Sequence, residues 1–201
     1  MEWVNFGSAI LGAIVGGIIT GFFALISVDR AHRKNLDQAE RNEDSLVKGF
    51  LQAIHDEMET ITERYQETMG SNVDALKENQ PLLFHYPLVN DYFAVYNGNS
   101  FLIGRIADND LRKQIVKTYT LAKALIDSFR LNNDLVQKYE YLEQLFRETN
   151  NQVHKQHLQL RFTQLIQYAK EIKKTHEILK KESSNLLRSL RKKGVLSEAR
   201  Y

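Results

Sequence analysis

The residue types best suited to chemistry are Arg147 and His154, separated by Glu148-Thr149-Asn150-Asn151-Gln152-Val153. A guanidinium is a permanent cation that can hold an anion, and an imidazole exchanges protons near neutral pH. His154 and His157 stand three apart, on one face of a helix, which suits a metal; no Glu-x-x-His and no third ligand lies at usable spacing. No metal and no cofactor is therefore expected. His32, His55, His85 and His176 stand alone and read as surface or satisfied packing residues. Lys180, Lys181, Arg188, Arg191, Lys192 and Lys193 form a basic tail that could contact RNA or anionic lipid headgroups, or simply be the solvated, dipole-compensating end of the last helix. The sequence shows no Gly-rich phosphate loop, no Ser/His/Asp array and no paired-carboxylate constellation, so a conventional enzyme is disfavoured.

The elements that must carry these residues are helical. Val47, Phe50, Leu51, Ile54, Met58, Ile61 and Tyr65 recur at three-and-four spacing, and Gly70 offers a stop after Met69. Between Gly70 and Gly104 lie both prolines, Pro81 and Pro87, and the turn-forming Asn97-Gly98-Asn99-Ser100, so this middle is expected to be irregular, with a short helix over Leu88 to Tyr96. Asp108-Asn109-Asp110 can cap a new helix, whose stripe runs from Leu111 through Phe129 to Phe146, with Asn132-Asn133-Asp134 as a potential break. The polar gap Thr149-Asn150-Asn151 then reads as a hairpin between antiparallel helices, the second carrying Val153 through Leu190. The Arg147 and His154 pair falls on this bend. No segment alternates as a strand would, and no repeat of 20–50 residues is visible.

Ahead of this bundle, Trp3 to Val28 is a run of 26 uncharged residues holding five of the ten glycines. About 20 apolar helical residues cross a hydrocarbon core of ~30 Å, so the run is long enough to span with tilt. It lacks the basic start, short apolar region and small-residue cleavage site of a signal peptide, and reads as a retained anchor. Arg30, Arg33 and Lys34 follow the span, which places the C-terminal part in the cytoplasm and the N-terminus outside, with Trp3 in the interfacial belt. Ser8, Gly12, Gly16 and Thr20 form one stripe of small side chains, and Ala9, Ala13, Gly17 and Gly21 an adjacent one. In lipid, close backbone approach along such stripes is a main source of helix attraction. Two adjacent stripes let a helix meet a neighbour on either side, as a closed ring requires. The larger faces, Ile10, Ile14, Ile18 and Phe22 or Leu11, Val15, Ile19 and Phe23, would then meet lipid or a lumen that gates by dewetting.

The expected organisation is a transmembrane helix over 1–28, a stalk and first cytoplasmic helix over 29–70, and the remainder of the bundle over 71–201 with its basic tail. Asp29 to Ser45 lacks proline and glycine, so the membrane helix can continue as the stalk. The roughly 170 residues outside the span suffice for one domain. The absence of cysteine excludes disulfides and thiolate metal sites. The formal charge of +2 conceals an asymmetry, because residues 170–201 carry ten Lys/Arg against four Asp/Glu.

The Arg-x6-His spacing resembles the motif of HEPN domains, helical bundles found in antiviral and toxin ribonucleases. That resemblance implies metal-free RNA cleavage, His154 acting as general acid or base and Arg147 steadying the phosphorane charge. Glu148 departs from the family's usual Asn, Asp or His, and an acid there can pair with Arg147 and repel phosphate. With its N-terminal span, all-helical cytoplasmic domain and lack of cysteine, the chain resembles the small membrane accessory proteins of type VI-B CRISPR loci. The resemblance implies a place in the bacterial inner membrane and a functional link to an RNA-guided, RNA-cleaving effector. It also implies an antiphage role as a homo-oligomeric pore that depolarises the membrane. The alternatives are a membrane-tethered HEPN-type ribonuclease and a non-catalytic membrane scaffold.

Overall fold

The structure, a computed structural model, describes residues 2–87 and 92–193, with side chains from residue 27 onward. It is all-helical, without a strand among the described residues. Among the described residues five α-helices follow in order: α1 (Glu2–Tyr65), α2 (Ser71–Asp74), α3 (Ala94–Gly98), α4 (Asn109–Thr149) and α5 (Gln152–Lys192). The chain divides into two compact units, Met1–Leu46 and Val47–Tyr201.

In the first unit every described side chain lies exposed, including Val28, Leu36 and Leu46. No apolar face holds this stretch helical. Its composition does, free of glycine and proline from Asp29 to Ser45, with local links such as Arg33 to Asp29 (3.0 Å) and Gln38 to Asn42 (3.0 Å) one turn apart. Among the described residues no helix is long and apolar enough to cross a membrane. The span read from Trp3 to Val28, with Ser8, Gly12, Gly16, Gly17, Thr20 and Gly21, lies outside the described side chains, apart from Ser27 and Val28.

The second unit is built on three long helical stretches. Phe50, Ile54 and Met58 of α1 pack with Leu111, Ile115 and Tyr119 of α4 and with Leu186 and Leu190 of α5, one side chain per turn from each helix. A second cluster joins Met69, Val73 and Leu76 to Leu125 and Phe129 of α4 and to Ala169 and Ile172 of α5. Burying each such side chain contributes roughly 1.5–3 kcal/mol. The expected hairpin is present: Asn150 adopts the left-handed conformation (φ 46°), which Asn tolerates, and the Asn151 side chain accepts from the Val153 amide to start α5. Asp108 caps α4 by accepting from the Asp110 and Leu111 amides, both at 3.0 Å.

Three local expectations change. Gly70 does not stop the helix: Gln66–Gly70 widens into a π-helical turn and α2 continues to Asp74. A Cβ on Gly70 would lie 2.6 Å from Gln66 Oε1, so glycine here lets the Gln66 side chain lie across the turn and donate to Asp74 (2.8 Å). Asn132-Asn133-Asp134 does not break α4, because the two amides face inward and bind the irregular segment. Asn132 donates to the Leu82 carbonyl (3.0 Å), while Asn133 accepts from the Tyr86 amide (2.9 Å) and donates to its carbonyl (2.8 Å). The short helix begins later than expected, at Ala94, and is followed by a 3-10 turn, Ser100–Arg105; residues 88–91 lie outside the described residues.

The start of α3 has an unusual cap. Phe93, in the cap position, supplies no side-chain acceptor, and Glu57 of α1 serves instead by accepting from the amides of Val95 (2.7 Å) and Tyr96 (3.1 Å). The same carboxylate accepts from the Tyr119 hydroxyl (2.8 Å), and Tyr119 stacks on Tyr96 with ring centres 4.0 Å apart. Glu57→Ala strands three donors, so unfolding in urea should show a loss of about 2–5 kcal/mol, more than a surface Glu→Ala at Glu63, which should stay within about 0.5 kcal/mol. Equal losses would contradict the capping role.

Candidate functional site

The bundle encloses a cavity of about 210 Å³ between α1, α4, α5 and the irregular segment. Its wall is mostly apolar, with Ile61, Phe93, Leu125, Ile126 and Phe129 among the contributors. One wall carries a polar relay. The Tyr65 hydroxyl lies 2.8 Å from His176 Nδ1, and His176 Nε2 lies 2.9 Å from Asp74 Oδ1. Asp74 Oδ2 is held by Lys180 Nζ and by Gln66, each at 2.8 Å.

Helix periodicity explains half of this arrangement and tertiary packing the rest. His176 and Lys180 are one turn apart on α5, so both reach the same carboxylate. Asp74 arrives on α2 only because the π-turn carries the chain past Tyr65. Hydrogen bonds from Lys180, then His176 and Gln66, hold the Asp74 carboxyl well below the usual carboxylate range. An ionised carboxylate only accepts, so His176 Nε2 is the donor and Nδ1 accepts from Tyr65. Burial, reinforced by Tyr86 and Asp74, pushes the Tyr65 phenol up, and burial likewise pushes Tyr86 up to about 12.

Carboxylate, imidazole and hydroxyl in this order match the logic of nucleophilic triads. Burial disfavours the Tyr65 phenolate, so the resting relay holds a neutral hydroxyl. The relay runs from the buried His176 and half-buried Tyr65 out to the exposed Asp74 and Lys180, and its hydrogen bonds tie α1, α2 and α5 together.

Arg147 and His154 lie elsewhere, near the tip of the α4–α5 hairpin. No side chain between residues 137 and 164 is buried. Arg147 is exposed and pairs with Glu143 (2.9 Å), while the neighbouring Glu148 accepts from Gln144 (2.8 Å). His154 Nδ1 meets Thr149 Oγ1 (2.9 Å), whose proton goes to the Leu145 carbonyl (2.7 Å), so His154 donates and latches the hairpin. His157 lines a separate shallow groove with Tyr141, Leu160 and Arg161. Among the described residues no three His, Cys, Asp or Glu side chains are placed to hold a metal.

The basic tail is partly spent inside the protein. Lys180 pairs with Asp74, Arg191 with Glu59, and Lys193 with Asp108 (2.6 Å). Arg191 also donates to Nε2 of the buried His55 (3.2 Å). Lys181, Arg188 and Lys192 are exposed and keep their charges for solvent or a partner. The sequence reading missed Tyr65 and Asp74 as partners of His176 and the bond from Lys180 to Asp74. Only the four-residue step from His176 to Lys180 was available as a signal, because Tyr65 and Asp74 are more than 100 residues away along the chain.

Asp74 gives a pH signature. Its folded pKa lies below the unfolded value of about 3.9, so its contribution is complete above that value and is lost as pH falls through and below it. Urea midpoints measured from pH 6 to pH 2 should fall more steeply for the wild type than for Asp74→Asn; parallel profiles would contradict the relay. At the hairpin, Arg147→Ala should change stability by less than about 0.5 kcal/mol and His154→Ala by about 1 kcal/mol, in the same denaturation assay. A loss above about 3 kcal/mol at Arg147 would contradict its exposed, singly paired setting.

Comparison with known proteins returns no match: no protein-family model, no curated protein and no solved structure is similar to this chain.

Proposed function

We propose that the protein is a single-pass membrane protein that works by self-association, as a homo-oligomeric pore without catalysis of its own. The observation that carries this reading is the helical backbone running through Trp3 to Val28, 26 uncharged residues marked by two stripes of small side chains. A helix satisfies its own backbone hydrogen bonds, as a span in lipid demands. The positive residues Arg30, Arg33 and Lys34 assign the bundle to the cytoplasmic side.

Within this reading the helical unit is a divergent HEPN-like bundle that has kept the motif spacing without the setting that catalysis needs. Arg147 is exposed and pairs with Glu143, with Glu148 beside it, and His154 is occupied by Thr149. The biological setting is antiphage defence at the bacterial inner membrane beside an RNA-guided, RNA-cleaving effector, where ion leakage depolarises the host. Lys181, Arg188 and Lys192 are the tail cations available to RNA or anionic lipid.

Cells expressing the full chain should lose membrane potential when the system is triggered, read with a potential-sensitive dye. Gly16→Leu with Gly17→Leu should abolish that loss at equal membrane abundance, while Arg147→Ala with His154→Ala should leave it intact. Undiminished depolarisation by the glycine variant contradicts the pore. RNA cleavage that disappears with Arg147→Ala would replace it with the ribonuclease.

A further inference from the structure

The cavity described above has a charge pattern that the relay does not explain. Among the described residues that line it none is Asp or Glu, while Arg64 and Lys180 both contribute to its wall. Lys180 is committed to Asp74. Arg64 is exposed, has no carboxylate partner among the described residues, and acts on the Tyr86 phenol in the direction that favours its ionised form. A guanidinium beside an apolar chamber is an anion receptor next to a hydrophobic one. The volume, about 210 Å³, exceeds the roughly 150 Å³ of an apolar cavity that admits a benzene ring.

We propose that this cavity binds a small anionic amphiphile, an aromatic or aliphatic body carrying a carboxylate or phosphate head. The body packs among Ile61, Leu125, Ile126 and Phe129, and the head meets Arg64 at the opening. Ser183 and His176 add no competing charge demand, because the Ser183 hydroxyl is satisfied by the Lys180 carbonyl (3.3 Å) and both nitrogens of His176 are engaged in the relay. A neutral ligand of the same shape would fill the chamber and leave the cation unanswered, so the head sets selectivity. The site belongs to the bundle alone and does not depend on the membrane reading.

The test is isothermal titration of the full chain, held in nanodiscs of zwitterionic phosphatidylcholine, with 4-phenylbutyrate, phenethyl phosphate and 4-phenylbutanol, after subtraction of empty discs. At least one acid should bind saturably, one per chain, at millimolar concentration or below, with the alcohol weaker by about tenfold. Which acid binds more tightly separates a carboxylate from a phosphate ligand. Arg64→Gln should weaken the acid by about tenfold and Arg64→Lys should retain most of the affinity. Ile126→Trp, which fills the chamber from a half-buried position, should abolish binding; if circular dichroism shows that variant unfolded, the Arg64 pair decides. Absence of binding by both acids, equal affinity for the alcohol, or an unchanged affinity in Arg64→Gln overturns the proposal.

Discussion

The fold of the helical unit depends on satisfying the backbone of one irregular segment. Between α2 and α4 the chain has few hydrogen bonds of its own, and buried amides and carbonyls without partners would cost about 1–3 kcal/mol each. Side chains from three helices supply them. Glu57 of α1 takes the Val95 and Tyr96 amides, Asn132 and Asn133 of α4 take Leu82 and Tyr86, and Lys173 of α5 donates to the Leu76 carbonyl (2.6 Å). These contacts fix Tyr86, Pro87 and Phe93 over the bundle, and so complete the wall of the cavity.

This accounts for what the sequence could and could not reveal. The long helices were legible because apolar residues recur at helical spacing in Phe50-Ile54-Met58 and Leu111-Ile115-Tyr119, and because Asp108 and Asn151 are ordinary caps. The Asn132-Asn133 pair misled, since two polar residues in an apolar stripe look like a break. They are buried or half-buried because a partner backbone lies opposite, and that backbone is nearly 50 residues away. Gly70 misled for a related reason: it accommodates the Gln66 side chain rather than a left-handed turn.

The same contrast governs the candidate sites. Arg147 and His154 were conspicuous because their types and spacing fit a motif, yet they fall where nothing is buried, and a solvated Arg–Glu pair one turn apart is worth little. Tyr65, Asp74, His176 and Lys180 carry no motif. Packing brings them together: hydrogen bonds hold Asp74 ionised, and burial keeps the Tyr65 phenol protonated. Tertiary contact rather than residue identity makes the difference, and such contact cannot be read from spacing between such distant positions.

The membrane reading rests on the opposite kind of signal, a local one: 26 uncharged residues with small side chains in two stripes. Its central claim is that the chain does not act alone. Native mass spectrometry of the full chain released from membranes addresses this most directly, with one copy weighing 23.4 kDa. A closed assembly larger than a dimer is the predicted result, and a particle that remains a monomer would contradict the account.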